Sequence, residues 1–266
     1  SIGQYFPGKS VVHRLDPRVK IILTMVYIVM LFLIKSNSWF DAFAFIPTII
    51  FLVVVMCVAK IPFKSIFRSV KPILPLILFT SVLNMFFVDG KMIFDWWIFH
   101  ISVEGIRLAV IMSIRIVCLI IGASLLTYTT SPIALTDAIE RLLKPLKYIK
   151  FPVHEMAMMM TIALRFIPTL IEETDKIMSA QKARGANLET GGLIKRAKAL
   201  IPILIPLFVS AFRRAEELAL AMECRCYRGG DGRTRMKQLK LSLIDLWGSL
   251  FVLIILTSII LLNIFL

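Results

Sequence analysis

Residues 39–59 read WFDAFAFIPTIIFLVVVMCVA and carry a single charged side chain, Asp41, in 21 positions. A helix that crosses a bilayer needs about 20 predominantly apolar residues, so this stretch predicts a membrane span. Four more runs predict spans by the same reasoning, at 21–34, 72–88, 106–128 and 247–266. The first of them is short, and we expect the flanking Arg18 and Lys20 to lengthen it by snorkelling toward lipid headgroups. The predicted fold class is an all-α polytopic membrane protein with about five transmembrane helices.

The composition of the whole chain agrees with this prediction. Of 266 residues, 58% are hydrophobic and only 18% are charged, and the mean hydropathy is +0.84. These values exclude a disordered chain and an ordinary water-soluble domain. The charge that remains is unbalanced, because 31 Lys and Arg face 17 Asp and Glu and give a net charge of +14.

The basic residues are concentrated in three segments of the chain. Four lie in 1–20, four in 60–71 and nineteen in 131–240. If the five spans alternate in direction, all three segments lie on one side of the membrane. The positive-inside rule then predicts a cytoplasmic N-terminus and an extracellular C-terminus. This distribution explains the basic surplus through the lipid bilayer, and we expect no nucleic-acid partner.

Three domains follow from this topology. Residues 1–130 are the N-terminal membrane region with four spans, 131–240 are a cytoplasmic helical domain, and 241–266 are the C-terminal span. Two apolar runs inside the middle domain, 156–171 and 199–212, are only about 14 to 16 residues long and contain proline, which favours buried or interfacial helices over spans. We expect helices from Pro132 with Ser131 as N-cap, over 153–184 and over 193–228, the last two bent at their prolines.

The last two of these helices end in similar sequences, SAQKARGAN over 179–187 and AMECRCYRGG over 221–230. In each, an arginine stands between two small residues just ahead of a glycine-containing helix stop. One such ending is explained by the helix dipole, which favours a cation at a C-terminus. Two copies favour docking tips, because small neighbours leave a guanidinium free to pair with a carboxylate. The candidate docking residues are Ala183, Arg184, Gly185, Cys224, Arg225 and Cys226.

These features together resemble the transmembrane T component of energy-coupling factor transporters, an ABC-type system for vitamin and metal-ion uptake in prokaryotes. The family carries a pair of Ala-Arg-Gly-like triplets at the ends of two cytoplasmic coupling helices. Ala183-Arg184-Gly185 matches in full, whereas Cys224-Arg225-Cys226 keeps only the arginine. The segment LDPRVK at 15–20 is also similar to one that precedes the family's first span. There Asp16 can cap the helix and Pro17 can start it, and we expect Arg18 and Lys20 to anchor it to the cytoplasmic headgroups.

The resemblance implies a non-catalytic coupling subunit in a prokaryotic plasma membrane. Two ABC ATPase subunits, often a non-identical pair, would hold Arg184 and Arg225. ATP and magnesium would be bound by those subunits, and no cofactor or metal by this chain. A membrane-embedded, vitamin-binding S component would touch an apolar surface formed by Met156, Met158, Met159, Met160, Leu200, Leu204 and Leu207. The alternative for that surface is plain packing between the two long helices.

Two other classes of protein are less consistent with the sequence. A self-sufficient secondary permease predicts inverted repeats with broken helices, which the predicted layout lacks. An intramembrane enzyme needs a nucleophile or metal ligands within the spans, and the sequence offers neither. No Gly-x-x-x-x-Gly-Lys-[Ser/Thr] phosphate loop is present, so ATP hydrolysis must come from other subunits. Arg115 lies inside the fourth predicted span, where we expect it to pair with Asn84, Ser113 or helix carbonyls. The alternative hypothesis is that Arg115 forms part of a transport path.

Overall fold

The computed structural model describes residues 5–35, 38–88, 92–96, 99–149, 151–186, 192–229 and 241–265. Ten α-helices and one β-hairpin make up most of this part of the chain. In chain order they are α1 Val11–Arg14, α2 Pro17–Leu33, α3 Phe45–Ala59, α4 Phe63–Val70, α5 Leu74–Phe87, β1 Met92–Trp96, β2 Phe99–Ser102, α6 Val103–Thr129, α7 Pro132–Leu142, α8 Val153–Ala183, α9 Leu193–Cys224 and α10 Leu243–Phe265. Short 3₁₀ helices at Phe40–Ala44, Lys71–Ile73 and Lys144–Ile149 adjoin α3, α5 and α7.

The chain divides into two compact units. The first unit comprises α1 to α6, the hairpin, the first half of α7 and α10. The second unit begins at Ile139 within α7 and contains α8 and α9.

Four helical segments among the described residues are long and apolar enough to cross a membrane: Phe40–Ala59, Phe63–Phe87, Val103–Thr129 and Leu243–Asn263. Helix α2 has 17 residues, at the low end of the range for a span. The predicted third span started at residue 72, but α4, the 3₁₀ turn and α5 form one segment from Phe63. Pro72 and Pro75 do not interrupt it, because each occupies a first-turn position of its helix, where a missing N–H costs no hydrogen bond.

The first unit is apolar on its inside and on its outside. Its core contains Leu31, Phe45, Thr48 and Ile111, all nearly inaccessible to solvent. None of the residues of helix α5 is buried. Leu78 and most of the other large side chains of this helix are hydrophobic and exposed. A soluble domain would cover such faces with polar residues. These exposed apolar faces are typical of a helix bundle that is surrounded by lipid hydrocarbon chains.

The N-terminus of α2 is capped as the sequence predicts. Asp16 accepts a hydrogen bond from the Arg18 backbone N–H at 2.9 Å, and Pro17 is the first helical residue. The Asp16 N–H donates in turn to the buried Asp245 carboxylate at 2.6 Å. Asp245 also accepts from the Ser242 N–H at 2.7 Å, which is one half of a capping box for α10. One carboxylate thus joins the starts of the first and last long helices of this unit.

The expected headgroup contact of Lys20 is wrong. Lys20 is buried, and its ammonium donates to the Thr129 carbonyl at 3.0 Å and to the His13 carbonyl at 3.3 Å. Thr129 is the last residue of α6, where carbonyls have no partner within the helix and accept from side chains instead. Arg18 forms an ion pair with Asp16 at 3.0 Å.

Arg115 is buried in the bundle, as expected, and it pairs with a carbonyl at a helix end, one of the kinds of partner predicted for it. Its Nη2 donates to the Ile34 carbonyl at 2.5 Å. Neither Asn84 nor Ser113 pairs with it, and Ser113 shares a hydrogen bond with Ser81 at 2.8 Å. Ile34 caps the C-terminus of α2, so its carbonyl lacks an intrahelical donor and offers the acceptor that a buried guanidinium requires.

Candidate functional site: two arginine caps

Helix α8 ends in a Schellman motif with Arg184 at the C-cap position. The Gly185 N–H donates to the Lys182 carbonyl at 3.0 Å, and the Ala186 N–H donates to the Gln181 carbonyl at 3.0 Å. Gly185 has a φ of +85°, in the left-handed region that this motif requires. Glycine adopts this conformation without strain, which explains why the helix stops here.

Helix α9 ends in the same motif, with Arg225 at the C-cap position. The Cys226 N–H donates to the Glu223 carbonyl at 2.8 Å, and the Tyr227 N–H donates to the Met222 carbonyl at 3.0 Å. Cys226 has a φ of +56° and therefore stands where α8 has Gly185. A cysteine in this conformation carries strain of roughly 1–2 kcal/mol.

The predicted end of α9 near residue 228 is therefore wrong by four residues. The prediction took the glycines at 229 and 230 as the helix stop, whereas the chain turns at Cys226, ahead of Gly229. The correction makes the two endings more alike than their sequences suggest. Counted from the cap, Ala183 corresponds to Cys224, Arg184 to Arg225 and Gly185 to Cys226.

Both arginine side chains are exposed, as are their immediate neighbours. Within the part of the chain that the structure describes, neither Arg184 nor Arg225 forms a hydrogen bond or ion pair through its guanidinium. A Cβ added at Gly185 would meet no atom within 4 Å. Each tip thus presents a cation with open space around it, suited to a planar carboxylate partner.

A polar contact between α8 and α9 joins the two helices that carry the tips. Arg214 on α9 pairs with Glu173 on α8 at 2.8 Å, and the Ser210 hydroxyl donates a short hydrogen bond to the same carboxylate. The hydrogen bond from Ser210, followed by the contact with Arg214, lowers the pKa of Glu173. The Glu173 carboxylate is therefore charged at neutral pH and can form the ion pair with Arg214.

A second contact between α8 and α9 forms at a backbone carbonyl that a proline leaves without its helical hydrogen bond. Pro206 has no N–H, so the carbonyl of Pro202, four residues earlier, loses its partner within α9. Gln181 on α8 donates to that carbonyl at 3.4 Å. Near the tip of α9 and the start of α8, the Tyr227 hydroxyl donates to the Met158 sulfur at 3.0 Å. The sequence analysis did not identify these contacts, since no local pattern links residues so far apart.

Only some of the side chains in the predicted apolar surface are exposed. Met159, Met160, Leu200 and Leu204 are exposed, whereas Met156, Met158 and Leu207 are half-buried. Exposed hydrophobic side chains continue along α9 at four-residue spacing, and they include Ile201, Ile205, Val209, Phe208 and Phe212. Helix packing within this unit accounts for the half-buried members. The other members are exposed among the described residues, and exposed apolar patches are typical of surfaces that bind a partner or a membrane.

The comparisons with known proteins cover nearly the whole chain. The family model of the cobalt transport protein matches residues 8–237. The energy-coupling factor transporter transmembrane protein EcfT of Clostridium kluyveri is 57% identical over 257 residues, which cover 96% of this chain and 93% of that protein. The EcfT proteins of Ruminiclostridium cellulolyticum and Bacillus subtilis are 55% and 46% identical, over 92% and 90% of this chain and 90% and 88% of their own lengths.

Proposed function

Because this chain belongs to the cobalt transport protein family and, within it, to the EcfT transmembrane proteins of energy-coupling factor transporters, we propose that it is the subunit that couples ATPase motion to substrate release. As a member of this family, the chain is a component of a membrane transporter. Two ABC ATPase subunits, forming a non-identical pair, and one S component are its proposed partners. It binds no cofactor itself, and ATP and magnesium are bound by the ATPases.

The observation that carries this proposal is the equivalence of the two arginine caps. Two Schellman motifs place Arg184 and Arg225 at the same position relative to their helix ends. A pair of equivalent cations suits a pair of related partners, each of which offers an acidic groove. The proposed docking residues are Ala183, Arg184 and Gly185 on one tip and Cys224, Arg225 and Cys226 on the other.

The long helices are the proposed transmitters of motion. Helix α8 has 31 residues and α9 has 32, so each is about 45 Å long. The Glu173–Arg214 pair lets a displacement at one tip act on both helices. The exposed apolar side chains of α8 and α9, with Met159 and Leu204 among them, form the surface that we assign to the S component. Methionine suits it, because its flexible side chain adapts to different partners.

The orientation proposed for the chain follows from its charges. The helices with the arginine caps lie in the basic segment 131–240, which the positive-inside rule assigns to the cytoplasm. The N-terminus is then cytoplasmic and the C-terminus extracellular, in a prokaryotic plasma membrane. ATP is available on that side, as docked ATPases require.

Co-purification tests the docking proposal. We expect tagged wild-type protein, expressed with its transporter subunits, to retain both ATPases and R184E/R225E to lose them. R165E/R213E is the matched control, since it makes the same charge change at one exposed arginine on each helix, away from the tips. Retention of both ATPases by R184E/R225E at the wild-type level would overturn the proposal.

A further inference from the structure

A cavity of about 420 Å³, partly open to the outside of the bundle, lies in the first unit. Helices α1, α2, α3, α6 and α10 all contribute to its wall, which is almost entirely hydrocarbon. Val12, Leu52, Val55, Leu125, Trp247 and Val252 are among the lining residues. Its volume falls in the range of small-molecule binding sites, roughly 300–1,000 Å³.

Three of the polar side chains in the wall have partners within the bundle, whereas the Thr24 hydroxyl and the Trp247 indole have none among the described residues. The Lys20 ammonium donates to three oxygens, the Thr129 hydroxyl donates to the Leu125 carbonyl at 2.8 Å, and the Tyr27 hydroxyl donates to the Cys118 carbonyl at 3.1 Å. Buried water needs two to four polar partners, so these walls do not favour it. A void of this size would forfeit dispersion contacts along its whole lining. A hydrocarbon occupant satisfies both conditions.

The residues before α2 indicate what the hydrocarbon is attached to. Lys9 and Arg14 are exposed and lie within two residues of Val11, Val12 and Leu15, which line the cavity. Residues 1–15 contain no Asp or Glu. Cations beside a membrane-spanning bundle attract anionic lipid headgroups.

We propose that this cavity binds one acyl chain of an anionic phospholipid, whose headgroup contacts Lys9 and Arg14. The lipid fills the space between α2, α3, α6 and α10 and so becomes part of the bundle's packing. This binding site is independent of the docking tips and of the coupling function.

Photo-crosslinking of the full-length protein in liposomes tests the proposal. The probe is phosphatidylglycerol with a diazirine in one acyl chain, and peptide mass spectrometry locates the adducts. We expect adducts at Leu125 and Val252, which are buried and line the cavity. V55W, which fills the cavity, should reduce these adducts at least fivefold. I50W should leave them unchanged, because Ile50 is an exposed α3 residue that does not line the cavity.

Five results would overturn this assignment in whole or in part. Adducts confined to exposed residues, or adducts at Leu125 and Val252 that persist in V55W, would show that the cavity holds no acyl chain. Loss of the adducts when the other transporter subunits assemble with the chain would assign the cavity to a protein partner. Equal labelling by the corresponding phosphatidylcholine probe, or by K9E/R14E protein, would contradict the anionic headgroup.

Discussion

At the scale of single residues, the most informative position is Cys226. Its left-handed backbone makes it the counterpart of Gly185 and defines the second arginine cap. The sequence shows a cysteine there, and cysteine does not mark a helix end. The similarity of the two tips was therefore only partly visible from the residues, and the backbone hydrogen bonds were needed to align them.

Exchange of this cysteine for glycine should stabilise the cap. C226G removes the strain of a side chain in the left-handed region, about 1 kcal/mol. We expect slower hydrogen exchange of the amides at 226 and 227, by about fivefold, in a mass-spectrometric measurement of the 218–229 segment. C224G, which places glycine in the last helical turn, should instead speed exchange there. Equal changes in the two variants would contradict the assigned cap.

Asp245 is a second residue whose role the structure defines. D245A removes the acceptor of the Ser242 N–H and of the buried Asp16 N–H, and a buried donor left without a partner costs about 1–3 kcal/mol. We expect a clearly lower midpoint of thermal unfolding for the purified protein. D175A removes an exposed carboxylate on α8 and should change the midpoint little. The Ser-x-x-Asp spacing at 242–245 is a recognisable capping signal, but its link to Asp16 joins residues 229 positions apart and is not visible in the sequence.

At the scale of elements, helix starts were more predictable than helix ends and partners. Ser131 caps α7 through its hydroxyl, and Pro132 begins that helix, as predicted. Local chemistry decides such starts, since the cap and the proline lie next to each other. The contact between Glu173 and Arg214 depends on how two helices cross, which the periodicity of either helix does not fix.

The Glu173 contact should hold α8 and α9 at one separation. We expect E173A to broaden the distance distribution between spin labels at positions 176 and 213, measured by pulsed electron paramagnetic resonance. E172A changes the neighbouring, exposed carboxylate and should leave the distribution narrow. An unchanged distribution in E173A would show that the other contacts between the two helices fix their separation without Glu173.

The same contact should depend on pH. The pKa of Glu173 is lowered in the folded protein by the Ser210 hydrogen bond and by Arg214. Its contribution is thus fully present above the ordinary glutamate pKa and is lost as the pH falls through the lowered value. We expect the labelled pair in the wild-type protein to broaden only in that acidic range, and E173A to show no such pH dependence.

At the scale of the whole molecule, hydropathy predicted the membrane class and four of the long apolar segments. The predicted start of the third segment was too late, because the prolines at 72 and 75 were interpreted as a boundary. Both prolines in fact lie in the first turns of their helices, where they do not interrupt the segment. Burial of Lys20 was also missed, since a lysine beside a span usually reaches for headgroups. Its oxygen partners at 13, 129 and 130 come together only in the folded bundle.

The proposed orientation has a direct test in the native thiols. Cys224 and Cys226 are exposed at the tip of α9, which we assign to the cytoplasm. In cells that express this chain without the ATPase subunits, a membrane-impermeant maleimide should label them in inside-out vesicles and not in intact cells. C224S/C226S should abolish that labelling. Labelling of these two thiols in intact cells would place the tip outside and contradict the topology.

The central claim is that each arginine cap touches an ATPase, and site-specific photo-crosslinking in cells measures this most directly. With p-benzoylphenylalanine in place of Ala183 or Cys224, both exposed beside their arginines, we expect covalent adducts to an ATPase subunit from each tip. The same group in place of Arg213, midway along α9, should give none. Absence of an ATPase adduct from both tips, in cells that express the complete transporter, would contradict the account.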